Sequence, residues 1–174
     1  IDATARVLVG EGYDNASTNR IAKVAGVSVG SLYQYFPNKS SLVMAVVQRH
    51  CDEMVVMLAE SARELMHAPL PVAVRTYIRA MVDAHLVNPE LHRVITQQIF
   101  HLGVEHMNDV QRATRDIVKL YLGHHRERIL PQDLDTAAFV LVAMVEAVVH
   151  GALLSPDADL ASEALTEELT NAVL

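Results

Sequence analysis

Apolar residues recur at steps of three and four along almost all of this chain, and no stretch shows the strict alternation of a half-buried strand. An all-α fold is therefore expected. Ile1, Ala5, Leu8 and Val9 form a first stripe, ended by Gly12. Thr18 caps a short second helix bearing Ile21, Ala22 and Ala25, which Gly26 closes, and Ser28 caps a third. Asn38 precedes a long helix in which Val43, Val47, Cys51, Met54, Leu58, Ala62 and Leu65 keep one face, ending near Ala68 ahead of two prolines. Pro71 suits the first turn of a fifth helix, whose stripe of Val74, Ile78, Met81, Val82 and His85 runs to the Asn88-Pro89 break. A sixth helix carries Leu91, Val94, Ile95, Ile99 and Leu102 up to Gly103, and a seventh carries Met107, Val110, Ile117 and Tyr121 and stops before Pro131. The eighth, from about Asp133 to Leu154, is apolar almost all the way round; the ninth, from about Ala158, buries Leu160, Leu165, Leu169 and Val173.

With 51% apolar and 20% charged residues, the chain can bury a core and does not read as disordered. A lone cysteine, Cys51, makes no internal disulfide, and no secretory leader pattern opens the chain, so a cytoplasmic location is expected. The chain starts on Ile1 inside a helical pattern, which suggests that preceding residues are disordered or removed. Its longest uninterrupted apolar run, Ala137 to Val145, is stopped by Glu146, well short of the roughly 20 residues that span a bilayer. No membrane crossing is expected. Net charge is −7, which opposes nucleic-acid binding unless basic groups are segregated. They are: residues 1–45 hold four basic against three acidic side chains, a net of +1, leaving −8 for residues 46–174.

The most informative segment is Thr18 to Leu42, TNRIAKVAGVSVGSLYQYFPNKSSL. It reads as two short helices joined at a tight corner, with Gly26 where a left-handed residue must sit and Val27 filling the corner. At about 100° per residue, Val29, Leu32 and Phe36 share an inward face, while Gly30 and Gln34 point outward, flanked by Ser31, Tyr33 and Tyr35. Such a slim, polar ridge suits a DNA groove. Gly30 holds no bulk against the backbone, and the Gln34 amide can pair with an adenine edge. Hydroxyls of Thr18, Ser31, Tyr33 and Tyr35 and the Lys39 ammonium are of the type that binds phosphates.

Ile21, Ala22, Ala25, Gly26, Val27, Ser28, Gly30, Leu32, Tyr33, Tyr35, Phe36, Lys39 and Leu42 together resemble the DNA-binding signature of the TetR family. The resemblance implies a three-helix helix-turn-helix headpiece over residues 1–45 and a ligand-binding and dimerisation domain of about six helices over 46–174. It implies a one-component regulator, a repressor that binds a palindromic operator as a homodimer and leaves it when a small-molecule effector binds. Carried onto these positions, it makes Ser31, Tyr33 and Gln34 candidates for base contacts and Thr18, Tyr35 and Lys39 for phosphate contacts. Ser28 and Gly30 complete the candidate DNA-binding set.

An effector pocket is expected between residues 54 and 150, with Met54, Met57, Met81, Phe100, Tyr121, Phe139 and Met144 as adaptable apolar lining and His85, Glu146 and His150 as polar groups. The same residues also fit a plain helical core, and Glu146 with His150 fits a pair beside a dimer seam. Apolar surface on nearly every side of residues 134–154 calls for a partner subunit, met through the last two helices. Neither His101 with His106 nor His124 with His125 has a metal-ligand spacing, so no metal and no cofactor are expected. Without a phosphate loop, nucleophile elbow or paired catalytic carboxylates, the chain does not read as an enzyme. A rival reading is a helical interaction protein whose vestigial headpiece binds no specific DNA.

Overall fold

The computed structural model describes residues 1–102, 105–129 and 133–174, with side chains there except at 64, 98–102 and 105–107. Among them are nine α-helices and no strand: α1 (Asp2–Asn15), α2 (Thr18–Ala25), α3 (Val29–Tyr35), α4 (Lys39–Leu65), α5 (Leu70–Leu86), α6 (Pro89–Leu102), α7 (Glu105–His124), α8 (Leu134–Leu154) and α9 (Glu163–Val173). A single 3-10 turn, Arg126–Arg128, follows α7. The expected Phe100, His101 and His106 side chains and the Gly103 interruption lie outside the described residues.

Helix ends follow local chemistry, with three shifts from expectation. Ser17, not Thr18, caps α2: its hydroxyl accepts from the Arg20 amide at 3.2 Å, which leaves the Thr18 side chain free to turn elsewhere. α4 stops at Leu65, and a turn bond from the Ala68 amide to the Leu65 carbonyl closes it. α9 starts at Glu163 rather than near Ala158, because Ser155, Asp157 and Asp159 spend their chemistry on turns, yet Leu160 is still buried from within that loop.

Two compact units divide the chain: residues 1–52 with 88–106, and residues 53–87 with 107–174. That division falls inside α4, and α6 belongs to the first unit. Helix α1 packs on α6, and buried His50 and His92 meet through ring nitrogens 2.7 Å apart. In α1 the buried face is Ala3, Thr4, Val7 and Leu8, one step round from the predicted stripe, so Ile1 is exposed. Gly12 breaks the helical path with φ +74°, but helical turns resume to Asn15.

The second unit centres on Leu58, Ile78, Met81, Val82, Val145, Val149, Leu153, Leu160 and Leu169, drawn from α4, α5, α8, the following loop and α9. Burying such side chains stabilises by roughly 1.5–3 kcal/mol each. Arg75 and Arg79 of α5 both grip Glu163 at the start of α9, the latter at 2.8 Å. Helix α8 buries one face, Ala138, Val142, Val145, Val149, Ala152 and Leu153. By length and composition it could also cross a membrane, and a third of that span is buried inside the protein. The interruption by Glu146 therefore understated its apolar character: a helix has room for one partnered carboxylate, and Glu146 accepts from Gln111 Nε2 at 2.8 Å.

Candidate functional site

Gly26 turns the chain between α2 and α3 with φ +72° and ψ +27°, the left-handed geometry that glycine adopts at least cost. Ser28 then caps α3, accepting from the Ser31 amide at 3.0 Å, and its hydroxyl also meets that of Ser31 at 2.8 Å. Val27 does not fill the corner; it is 46% exposed, while Ile21, Ala22 and Leu42 are buried. No residue of α3 is fully buried. Val29, Leu32 and Phe36 are half-buried, whereas Gly30, Ser31, Tyr33, Gln34 and Tyr35 are exposed, Tyr35 to 79%. A short helix anchored on one side and bare on the other presents its outer ridge to a partner.

Two contacts set the pitch of that ridge. The hydroxyls of Thr18 and Tyr33 lie 3.1 Å apart and tie the start of α2 to the middle of α3. Lys39, the first residue of α4, donates to the Tyr13 carbonyl at 2.9 Å and sits over the Tyr13 ring. Asn38 caps α4 by accepting from the Ser41 amide at 2.8 Å. Arg20 is paired with Glu11 at 2.6 Å and Arg49 with Asp2, while Arg6 and Lys23 are exposed.

The second unit encloses a cavity of about 880 Å³ lined by α4, α5, α7, α8 and the end of α9. That is the size of sites that hold drug-sized molecules. Eighteen of its 25 lining residues are apolar. Tyr121 lines it and donates to the Ala68 carbonyl at 3.0 Å; of the nine sequence-named candidates whose side chains are described, it is the one in this lining. Met54 and Met81 are buried in packing, Met57 and Met144 are half-buried, and Phe139 is exposed with Arg115 near its ring. His85 Nδ1 donates to the Met81 carbonyl at 2.7 Å and its Nε2 lies 3.2 Å from Nε2 of His150, so His150 pairs with His85 and not with Glu146. Burial pushes the His150 imidazole below its ordinary range and the Glu146 carboxyl above its own. Sequence reasoning missed Tyr77, whose buried hydroxyl has no hydrogen-bond partner among the described residues; its one signal was a phenol at the edge of the α5 stripe.

Comparison with known proteins identifies this arrangement. Residues 1–46 match the family model for bacterial regulatory proteins of the tetR family, and residues 69–174 match that for the tetracyclin repressor-like C-terminal domain. The chain belongs to the TetR family of transcriptional regulators.

Among its TetR-family relatives is the HTH-type transcriptional regulator BetI 1 of Chromohalobacter salexigens, 30% identical over 160 residues, covering 88% of this chain and 77% of that protein. The nucleoid occlusion factor SlmA of Haemophilus ducreyi is 32% identical over 86 residues, but the match spans only 49% of this chain and 42% of that protein. A crystal structure of the regulator FadR from Bacillus subtilis, in complex with stearoyl-CoA, superposes with a TM-score of 0.78 over 99% of this chain and 94% of that one, at 20% identity. That likeness is one of fold. As in other TetR-family chains, the helix-turn-helix is the DNA-binding element.

Proposed function

We propose that this regulator is a repressor that holds a palindromic operator as a homodimer and releases it when a small molecule fills the cavity of the second unit. The observation that carries the reading is α4. It is one unbroken helix of 27 residues, about 40 Å long, that starts at Lys39 in the DNA-binding element and ends with Leu58, Ser61, Ala62 and Leu65 lining the cavity. A molecule in the cavity biases the direction of that rod. Two recognition helices must reach grooves one helical turn, about 34 Å, apart, so a small rotation of each rod prevents joint docking.

Ser31, Tyr33 and Gln34 are the proposed base readers, with Thr18, Tyr35 and Lys39 on phosphates and Ser28 and Gly30 shaping the approach. The dimer is formed through α8 and α9. Phe139, Ala143, Ala147, Gly151 and Leu154 make an exposed stripe at steps of four, four, four and three, and its small residues let a second helix approach closely. Stearoyl-CoA in the FadR structure supports an effector with an aliphatic part. The role is non-enzymatic, and a DNA-bound regulator of this kind works in the cytoplasm.

Selection of genomic fragments with the purified protein, followed by footprinting, tests the reading. The expected product is a two-fold symmetric site whose complex is dissolved by a member of a metabolite panel. Absence of any sequence-specific complex across salt concentrations would leave only the helical interaction protein.

A further inference from the structure

Seven of the 25 residues that line the cavity carry a polar group, and they divide by position. Four are buried or half-buried. Ser61 donates to the Met57 carbonyl at 3.1 Å, Thr114 to the Val110 carbonyl at 2.9 Å and Tyr121 to the Ala68 carbonyl at 3.0 Å, so the proton of each hydroxyl is committed within the protein. The Tyr77 hydroxyl oxygen is closed off from the space by burial. The other three, Arg128, Asp133 and Thr136, are exposed and stand at the connection from α7 to α8, where the cavity meets water. Asp133 and Thr136 are engaged there in capping α8.

We infer that the cavity takes a single-tailed amphiphile: a hydrocarbon tail with no hydrogen-bond acceptor along its length, and one polar head kept at the rim between α7 and α8. The inference rests on the effector reading above and names the class of molecule. A carbonyl or ether oxygen drawn in between the helices gives up its water and finds no donor in return, since helix walls commit their backbone N–H groups to the preceding turn and the hydroxyls are already engaged. Each methylene placed there, in contrast, gains by leaving water. A head group at the rim keeps its hydration and has Arg128 as a neighbouring donor. Where the polar group sits along the molecule, and not its mere presence, therefore decides affinity.

The isomers 2-undecanone and 6-undecanone share one composition and differ only in where the carbonyl sits, which makes them the test. Calorimetry on the whole protein, without DNA, is expected to show 2-undecanone bound at least about fivefold more tightly than 6-undecanone. Ser61→Ala and Thr114→Val are expected to leave both affinities within about twofold, because neither hydroxyl serves the ligand. Ala62→Phe on α4 and Ala80→Phe on α5 fill the space from two walls, and either should weaken 2-undecanone at least about tenfold. Equal affinity of the isomers, tighter binding of 6-undecanone, a larger loss in Ser61→Ala or Thr114→Val, unchanged binding in a folded Phe variant, or no binding of either ketone would overturn the inference. Should 2-undecanone bind as expected yet leave operator complexes intact, the release mechanism fails while the ligand class stands. Should another compound dissolve those complexes while neither ketone binds, the ligand class fails and the release reading stands.

Discussion

Lys39 and Tyr13 are joined twice: the ammonium donates to the Tyr13 carbonyl across 2.9 Å and lies 4.2 Å from the centroid of the Tyr13 ring. The first contact adds a second donor to a last-turn carbonyl of α1 that also accepts from the Ala16 amide, and the second adds a cation over an aromatic face. Together they fix where α4 leaves the DNA-binding element. Lys39→Met keeps the length of the stem and deletes both contacts. It should lower stability by about 1–2 kcal/mol in urea unfolding and weaken all DNA sequences alike. If Lys39 also meets a phosphate, the slope of log K against log salt falls by about one; an unchanged slope reduces its role to positioning α4.

Gln34 stands exposed on the outer ridge of α3, with Gly30 one turn before it. Gln34→Ala should cost about 1–3 kcal/mol of operator affinity and relax the preference at one base position per half-site. A base profile that does not change in a binding-site selection would remove Gln34 from the readers.

Gly26 has nothing within 4 Å of where a Cβ would be, so a substitution there meets no clash. The cost of Gly26→Ala is then purely that of the left-handed backbone, about 1–2 kcal/mol, with Asn less costly than Ala. Equal stability of all three proteins in thermal unfolding would show that the corner relaxes out of this conformation.

Ala147 lies midway along the exposed stripe of α8. Ala147→Glu would place a charge in the proposed seam and should convert a micromolar dimer to monomer in sedimentation, with loss of operator binding. A dimer that survives the change lies elsewhere.

His150 is held below its ordinary pKa of 6.5 by burial, so the folded protein keeps it neutral where the unfolded chain takes up a proton. Its contribution is therefore complete above pH 6.5 and is lost as pH falls from there through the folded value. Glu146, shifted upward from 4.5 by burial, acts in the opposite sense: its contribution is present below 4.5 and is lost as pH rises through its folded value. Urea midpoints at pH 7.5 and 5.5 should separate the parent from His150→Asn, with the parent losing more on acidification. Parallel pH dependence would show that His150 is not the group responsible.

Residues close together in the chain carried most of what could be read in advance. The left-handed glycine between α2 and α3, the cap at Ser28, the outward ridge from Gly30 to Tyr35 and the helix count depend on spacings of one to four residues, which a helix converts directly into geometry. Helix ends slipped by a few positions where neighbouring polar residues compete for the same cap, as Ser17 and Thr18 do. The cavity was less legible. Methionines and aromatics at core spacing look alike whether they face a packed neighbour or a void, which is why Met81 and Tyr121 shared one expectation but only Tyr121 lines the space.

An all-helical regulator with a glycine-cornered reading head is written into the sequence by itself, because helical phase, capping and backbone handedness are local properties. Tertiary structure alone decided that α6 joins the first unit, that Lys39 grips a carbonyl 26 residues away, that His50 meets His92 across 42, and that the Tyr77 hydroxyl is buried with no partner among the described residues. Those outcomes depend on which helix faces lie together, and no short-range pattern encodes the pairing of side chains that meet only when distant helices pack.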